Sequence, residues 1–339
     1  MQDATINYSS STEHLQQALL DYRQANGAEQ KKAAWQRIVA LTSSLNCRHV
    51  TRFANTLRGA FDYVADEIEL QSHPWLYLNH YSGYVRQQAL ANIAQQSQPL
   101  PNSLFGALLL LRLNDWVKTV RAQALATFQA KLTQPGNHDY AEAIVWLLGM
   151  WLRWGRQAAA EREPVLRLLV QSKMLPALLN YLQREPTRPI ARALQQLAHL
   201  SAIDDSLWRL ATTARQPLIR LFCYKSLFKQ QLQWIVDHQW QVVDKFSGER
   251  RWSPVWNYRS LTTQVDRLEI LNHMARDKAA LVRRQAGALL IEIADTDPRV
   301  QQMAGLAQLL ASDRYPAVAY RGDFALRELK KNPAANEHC

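Results

Sequence analysis

Cysteine is nearly missing from this 339-residue chain, at three positions: Cys47, Cys223 and Cys339. An odd, irregularly spaced set gives no disulfide framework and no zinc motif, so two buried thiols and one tail thiol are expected. Glycine (11) and proline (13) are also scarce. All-β folds need frequent Gly-rich turns, so their scarcity points to helices. Long hydrophobic runs are absent as well. The most apolar stretches, residues 104–113 and 143–154, fall well short of the ~20 residues that span a bilayer. The N-terminus has no basic region followed by an apolar one, so no signal peptide is read there, and a soluble, cytoplasmic protein is expected. Phosphate-binding Gly loops, a G-x-S-x-G elbow, H-E-x-x-H and C-x-x-C are all missing, and no two histidines are spaced i, i+4. The carboxylate pairs Glu161/Glu163 and Asp204/Asp205 lie in short polar turns and read as helix caps, not as an acid/base pair. No catalytic residue, metal site or cofactor is therefore expected, and the chain reads as a non-enzyme.

Hydrophobic content is 47%, ordinary for a folded protein. Runs rich in Ala, Leu, Gln and Arg suit helices, because these side chains lose little rotamer freedom there. Ser10 and Glu13 have capping-box spacing at the start of the first helix. Val50, Phe53, Leu57, Phe61, Val64 and Ile68 recur at helical spacing and predict one helix over 50–68. Trp146, Trp151 and Trp154 read as core, with an aromatic cage as the alternative. Most prolines fall where helices start or stop, which gives many short helices joined by short turns.

One pattern recurs. "HYSGYVRQQAL" (80–90) and "DWVKTVRAQAL" (115–125) carry V-R-x-Q-A-L at the same phase, 35 residues apart. Asp115 precedes Arg121 by six residues, and Asp277 precedes Arg283 by six. His80 and Ala214 hold the equivalent place before Arg86 and Arg220, and Asp313 precedes Val318 as Asp277 precedes Val282. A weaker copy starts at Ile190. The aspartate belongs in the turn before a helix, where a carboxylate caps the N-terminus. Arginines in the first turns of those helices reach an aspartate of their own or the neighbouring repeat. Arg86, Arg121, Arg220 and Arg283, with Asp115 and Asp277, thus read as a structural ladder, with a ligand-binding stripe as the alternative. A helix pair that cannot bury both faces must stack on another.

On Asp115, Val120, Arg121, Ala124 and Leu125, and on Asp277, Val282, Arg283, Ala286 and Leu289, the chain resembles the HEAT repeat family, in its short bacterial HEAT-like form, over about residues 75–330. The resemblance implies an all-α fold, a right-handed α-solenoid of stacked antiparallel helix pairs. The expected organisation is an N-terminal helical cap (1–72), repeats with a basic middle (73–232), an insertion (233–263), further repeats (264–331) and a tail (332–339). Proteins of this family serve as scaffolds, adaptors, inhibitors and nucleic-acid binders. In general build the chain also resembles bacterial HEAT-like DNA glycosylases acting on alkylated purines. No local motif here matches that family's catalytic aspartate, so no catalytic residue carries over.

The repeat breaks once. Ile219 to Val282 spans 63 residues, one repeat of about 35 plus an excess near 28. The excess falls in 233–263, where Trp234, Trp240, Phe246, Trp252, Trp256 and Tyr258 interleave with Lys245, Arg250, Arg251 and Arg259, and Ser247-Gly248 suits a hairpin turn. Insertions in repeat arrays map to one face, and Trp with Arg anchors interfaces. Trp240, Phe246, Arg250, Arg251, Trp252, Trp256 and Tyr258 are the expected contacts to a protein partner, alongside a concave solenoid face. The net charge of +11 is uneven: residues 151–230 hold 13 basic against 5 acidic side chains. Arg188, Arg192, Arg209, Arg215, Lys225 and Lys229 are the candidate phosphate contacts if the partner is nucleic acid instead.

Overall fold

The computed structural model of the chain describes residues 8–61, 66–134, 140–156, 159–294 and 298–331. Two units divide it, one ending at Tyr181 and the other beginning at Leu182. The first runs α1 (Tyr8–Gln24), α2 (Ala28–Ser43), α3 (Val50–Phe61), α4 (Glu67–Ser72), α5 (Gly83–Gln95), α6 (Ser103–Leu111), α7 (Lys118–Leu132), α8 (Tyr140–Met150) and α9 (Ala159–Gln171), and the division falls within α10 (Leu175–Arg184). The second runs α11 (Ala191–Leu197), α12 (Leu207–Thr213), α13 (Pro217–Lys229), β1 (Gln231–Val242), β2 (Arg250–Ser260), α14 (Arg267–Ala275), α15 (Ala280–Ile293), α16 (Val300–Ala311) and α17 (Pro316–Lys331). Among the described residues the fold is helical apart from one two-stranded sheet.

Within each unit a helix packs on its chain neighbour and on the helix two places along. In the first unit α5 meets α7 and α6 meets α8. In the second, α13 meets α15, α14 meets α16, and α15 meets α17. Stacked helix pairs have this pattern, each pair sealing the apolar face its neighbour leaves open. Val120, Ala124, Val282 and Ala286 are fully buried in it. In α6, Leu104 to Leu110 are buried on every side. Asn102 begins that helix, its side-chain oxygen accepting from the backbone N–H of Leu104 (3.0 Å) and Phe105 (3.2 Å). Trp151 and Trp154 are buried and Trp146 meets Trp154 edge-on at 6.1 Å, so the three rings go into packing.

Two local expectations are corrected. The first helix has begun by Tyr8, so Ser10 lies inside it and is not its cap. The helix predicted over 50–68 is interrupted: α3 is described as far as Phe61, Val64 lies outside the described residues, and Asp66 is not helical. A new helix starts at Glu67 because the Asp66 carboxylate accepts from the N–H of Ile68 at 2.8 Å. That restart turns Ile68 outward, 77% exposed, whereas helical spacing had assigned it to the core. Cys47 and Cys223 are buried, and Cys339 lies outside the described residues. Burial pushes the Cys223 thiol far up, so it stays protonated.

The insertion is an antiparallel hairpin, with Gln231 opposite Ser260 and Val242 opposite Arg250. Gly248 turns it at φ +68°, a left-handed conformation that favours glycine. A bulge at Val236 shifts the register between Ile235 and Asp237. The strands start two residues before the expected insertion, at Gln231.

Candidate interaction site

The repeated arginines share one geometry. Nη1 donates to the carbonyl six residues earlier: Arg86 to His80 (2.7 Å), Arg121 to Asp115 (2.9 Å), Arg220 to Ala214 (2.8 Å) and Arg283 to Asp277 (2.8 Å). The other edge of the fork reaches forward. Arg86 grips Asp115 at 2.9 and 2.8 Å, Arg220 grips Asp277 at 2.7 and 2.6 Å, and Arg283 grips Asp313 at 2.5 and 3.1 Å. Arg121 finds Glu161 instead, through one bond of 3.2 Å. Each aspartate also accepts from the backbone two residues on, at Val117, Ala279 and Tyr315. That bond ends the turn just ahead of the helix instead of capping its first free N–H groups. Where the fork is filled on both edges and buried, as at Arg86 and Arg220, it presents nothing to a ligand.

The hairpin divides its side chains by strand alternation. One face carries Leu232 and Trp234, both buried, with the Trp234 ring 4.3 Å from that of His199. Arg259, on the same face, turns back to the helices. It grips Asp204 at 3.0 and 2.6 Å and donates to the carbonyls of Ala198 and Leu200. Asp204 accepts in addition from the backbone N–H and hydroxyl of Thr262. Burial alone would raise the Asp204 carboxyl, but the Arg259 fork and the Thr262 bonds outweigh it and hold the carboxyl below the usual carboxylate range. Asp204, read from sequence as a cap, is thus the anchor of the hairpin. No local signal marks a pair 55 residues apart.

The opposite face follows the other parity: Trp252, Pro254, Trp256 and Tyr258 on β2, with His238, Trp240 and Val242 across from them on β1. Trp240, Trp252, Trp256 and Tyr258 are 64, 53, 49 and 64% exposed, and Phe246 at the tip is wholly exposed. Their rings still organise one another. Trp240 meets Trp252 edge-on at 5.3 Å, and His238 lies parallel to Trp252, 11° off. Arg250 is exposed on the same face, and Arg251, also exposed, follows the other parity. All seven expected contact residues therefore lie on one hairpin, from Phe246 at its tip to Tyr258 near its base, with Arg251 alone of the strand residues on the other parity. Sequence reading grouped Trp234 with them, but parity sends it inward.

The expected phosphate contacts do not gather in the same way. Arg188 pairs with Glu185, Lys229 approaches Glu292 at 3.8 Å, and Arg209 donates to the Gln183 side chain. Arg192 and Arg215 are exposed and Lys225 is half-buried. A different row is more regular. In the second unit Arg215 and Lys278 stand five residues before Arg220 and Arg283, and Arg314 follows Asp313 as Lys278 follows Asp277, all three exposed. The same register in the first unit holds exposed Tyr81 and Trp116.

Among the described residues no group of three His, Cys, Asp or Glu side chains gathers to hold a metal ion, and no helix is long and apolar enough to cross a membrane. No family model and no curated protein matches the chain. Solved structures that match include a designed armadillo repeat protein and an engineered protein. The armadillo design is 14% identical, over 93% of this chain and 99% of its own, with a TM-score of 0.19. The engineered protein is 15% identical, over 94% and 96%, with a TM-score of 0.18. The repeat architecture rests on the packing and the ladder.

Proposed function

We propose that the chain is a non-enzymatic HEAT-like scaffold or adaptor that docks a protein partner on the aromatic face of the 231–260 hairpin. One observation carries this reading: an exposed stripe of Trp240, Trp252, Trp256 and Tyr258 on a hairpin whose other face is tied down by Arg259 and Asp204. Unfolded loops pay ordering entropy on binding, whereas an anchored hairpin has met that cost on folding. Trp, Tyr and Arg are also the side chains that dominate interface energy. The test compares partner recovery by the wild-type chain and by Trp240→Ala/Trp252→Ala, with helical circular dichroism as the fold control. Recovery should fall at least about tenfold, since interface anchors cost upward of about 1.4 kcal/mol each. Equal recovery would refute the hairpin as the docking surface.

A second reading, nucleic-acid binding, is favoured by the row of Arg215, Lys278 and Arg314, one exposed cation per repeat with no ion pair among the described residues. Charges at one register suit an extended polyanion. Arg215→Glu/Arg314→Glu should then abolish retention on single- or double-stranded DNA at low salt. The wild type should also lose affinity steeply as salt rises. The damage-recognition role of the alkylpurine glycosylases is a narrower form of this reading, and release of an alkylated base by the purified chain is its test.

A further inference from the structure

The stripe on β2 reads almost the same in both directions about its centre. Outward from Pro254 come Trp252 and Trp256, then Arg250 and Tyr258, all on the exposed face. A two-fold interface demands this property: wherever residue i meets residue j of the other copy, j must also meet i. Laid antiparallel on itself with the axis at Pro254, the stripe sets Trp252 against Trp256 of the second copy and Arg250 against its Tyr258. The first is an aromatic pair and the second a cation over a ring, both favourable contacts. No carboxylate lies among these alternating positions of either strand, so no like or stranded acid is buried by the contact.

We propose that this face closes on the same face of a second copy of the chain, making a two-fold dimer through the hairpin. This rests on the reading that the hairpin docks a protein, and it names that protein. Area argues the same way. Aromatic side chains carry about 150–250 Å² each, so half of Trp240, Trp252, Trp256, Tyr258 and Phe246 leaves on the order of 500 Å² of apolar surface. That is near the top of what a monomer leaves in water, roughly 300–600 Å². Val242, about half exposed on the same face, extends it toward the roughly 800 Å² per partner of a stable interface. Charge argues against a polyanion at this site. Between Gln231 and Ser260, with Arg259 spent on Asp204, the cations Lys245, Arg250 and Arg251 equal the acids Asp237, Asp244 and Glu249.

Sedimentation equilibrium of the full chain up to about 100 µM is the test. The wild type should sediment at twice the chain mass. Trp252→Ala/Trp256→Ala should raise the dissociation constant at least about 100-fold, with helical circular dichroism unchanged. Arg250→Glu, which spares the apolar area, should raise it about tenfold. A wild type that stays monomeric overturns the proposal, as does a dimer indifferent to all these substitutions. Monomeric wild type that still captures another protein through Trp240 and Trp252 would overturn self-association alone and leave the docking reading standing.

Discussion

Arg86 and Arg121 occupy the same repeat register and make the same bond to their own turn, yet they meet different acids. Arg86 is 1% exposed, and its fork closes on a buried Asp115 that Arg112 also holds at 3.0 Å. Burial pulls the Arg112 guanidinium down to about 10, against the pull of Asp115, so Arg112 still carries its charge at neutral pH. Removing one partner of a buried pair strands the other, which costs about 3–5 kcal/mol. Arg121 touches a half-exposed Glu161 through a single bond, where an ion pair contributes about 0–1 kcal/mol. Arg86→Ala should therefore lower stability to chemical denaturation by several times the loss from Arg121→Ala. Similar losses would mean that the ladder's strength lies in the carbonyl bonds the two share, not in its carboxylates. Sequence spacing aligned these two arginines. It did not separate them, because Glu161 lies 40 residues after Arg121, outside the 29 or 30 that join the other pairs without an insertion, and no periodicity points to it.

Among the elements, the hairpin was half legible. Its turn followed from Ser247-Gly248, and its aromatic and arginine content from the residues interleaved over 233–263, but the single exposed stripe at 252, 254, 256 and 258 came from the strand register. Its base was not, for two reasons. The bulge at Val236 reverses the parity of β1, which sends Trp234 inward and Trp240 outward, though both are even-numbered. The anchor joins Arg259 to Asp204 across 55 residues, a separation with no periodicity to read. That anchor makes a pH prediction. The Asp204 carboxyl lies below the ordinary 3.8 in the folded chain, so its contribution is complete above that value. It is lost as pH falls through the lower folded value. Asp204→Asn should cost about 3 kcal/mol at pH 7, and the gap from wild type should close progressively below about pH 4. Denaturation midpoints of the two proteins from pH 7 to 3 measure this. A gap that does not narrow at all between pH 4 and pH 3 would show that the bond geometry, not the charge, holds the hairpin down.

At the scale of the whole molecule, the ladder explains how the chain tolerates an insertion. Arg283 reaches an aspartate 30 residues on and Arg86 one 29 residues on, but Arg220 spans 57 to make the same contact with Asp277. The hairpin is looped out of the second unit while α13 still stacks on α15. The period was readable because each repeat must rebuild one contact. The break between α3 and α4 was not, because Asp66 caps a new helix without disturbing the apolar spacing. Stacking by neighbours also makes stability local, and three glycines test this in the second unit. A Cβ on Gly322 of α17 would sit 2.2 Å from the Ala311 backbone nitrogen, where nothing flexible can yield. On Gly287 it would meet the Arg321 Cβ at 3.0 Å, and on Gly305 nothing within 4 Å. Gly322→Ala should destabilise by about 1–3 kcal/mol or more, Gly287→Ala by less, and Gly305→Ala should stabilise by about 0.5–1 kcal/mol, since exposed mid-helix glycine wastes chain entropy. Because α16 and α17 pack chiefly on α14 and α15 among the described residues, hydrogen exchange in Gly322→Ala should lose protection in α16 and α17 first and in α12 least. Equal loss from α12 to α17 would instead mean that the second unit unfolds as one block, and that its stacked pairs are geometric repeats without being energetic ones.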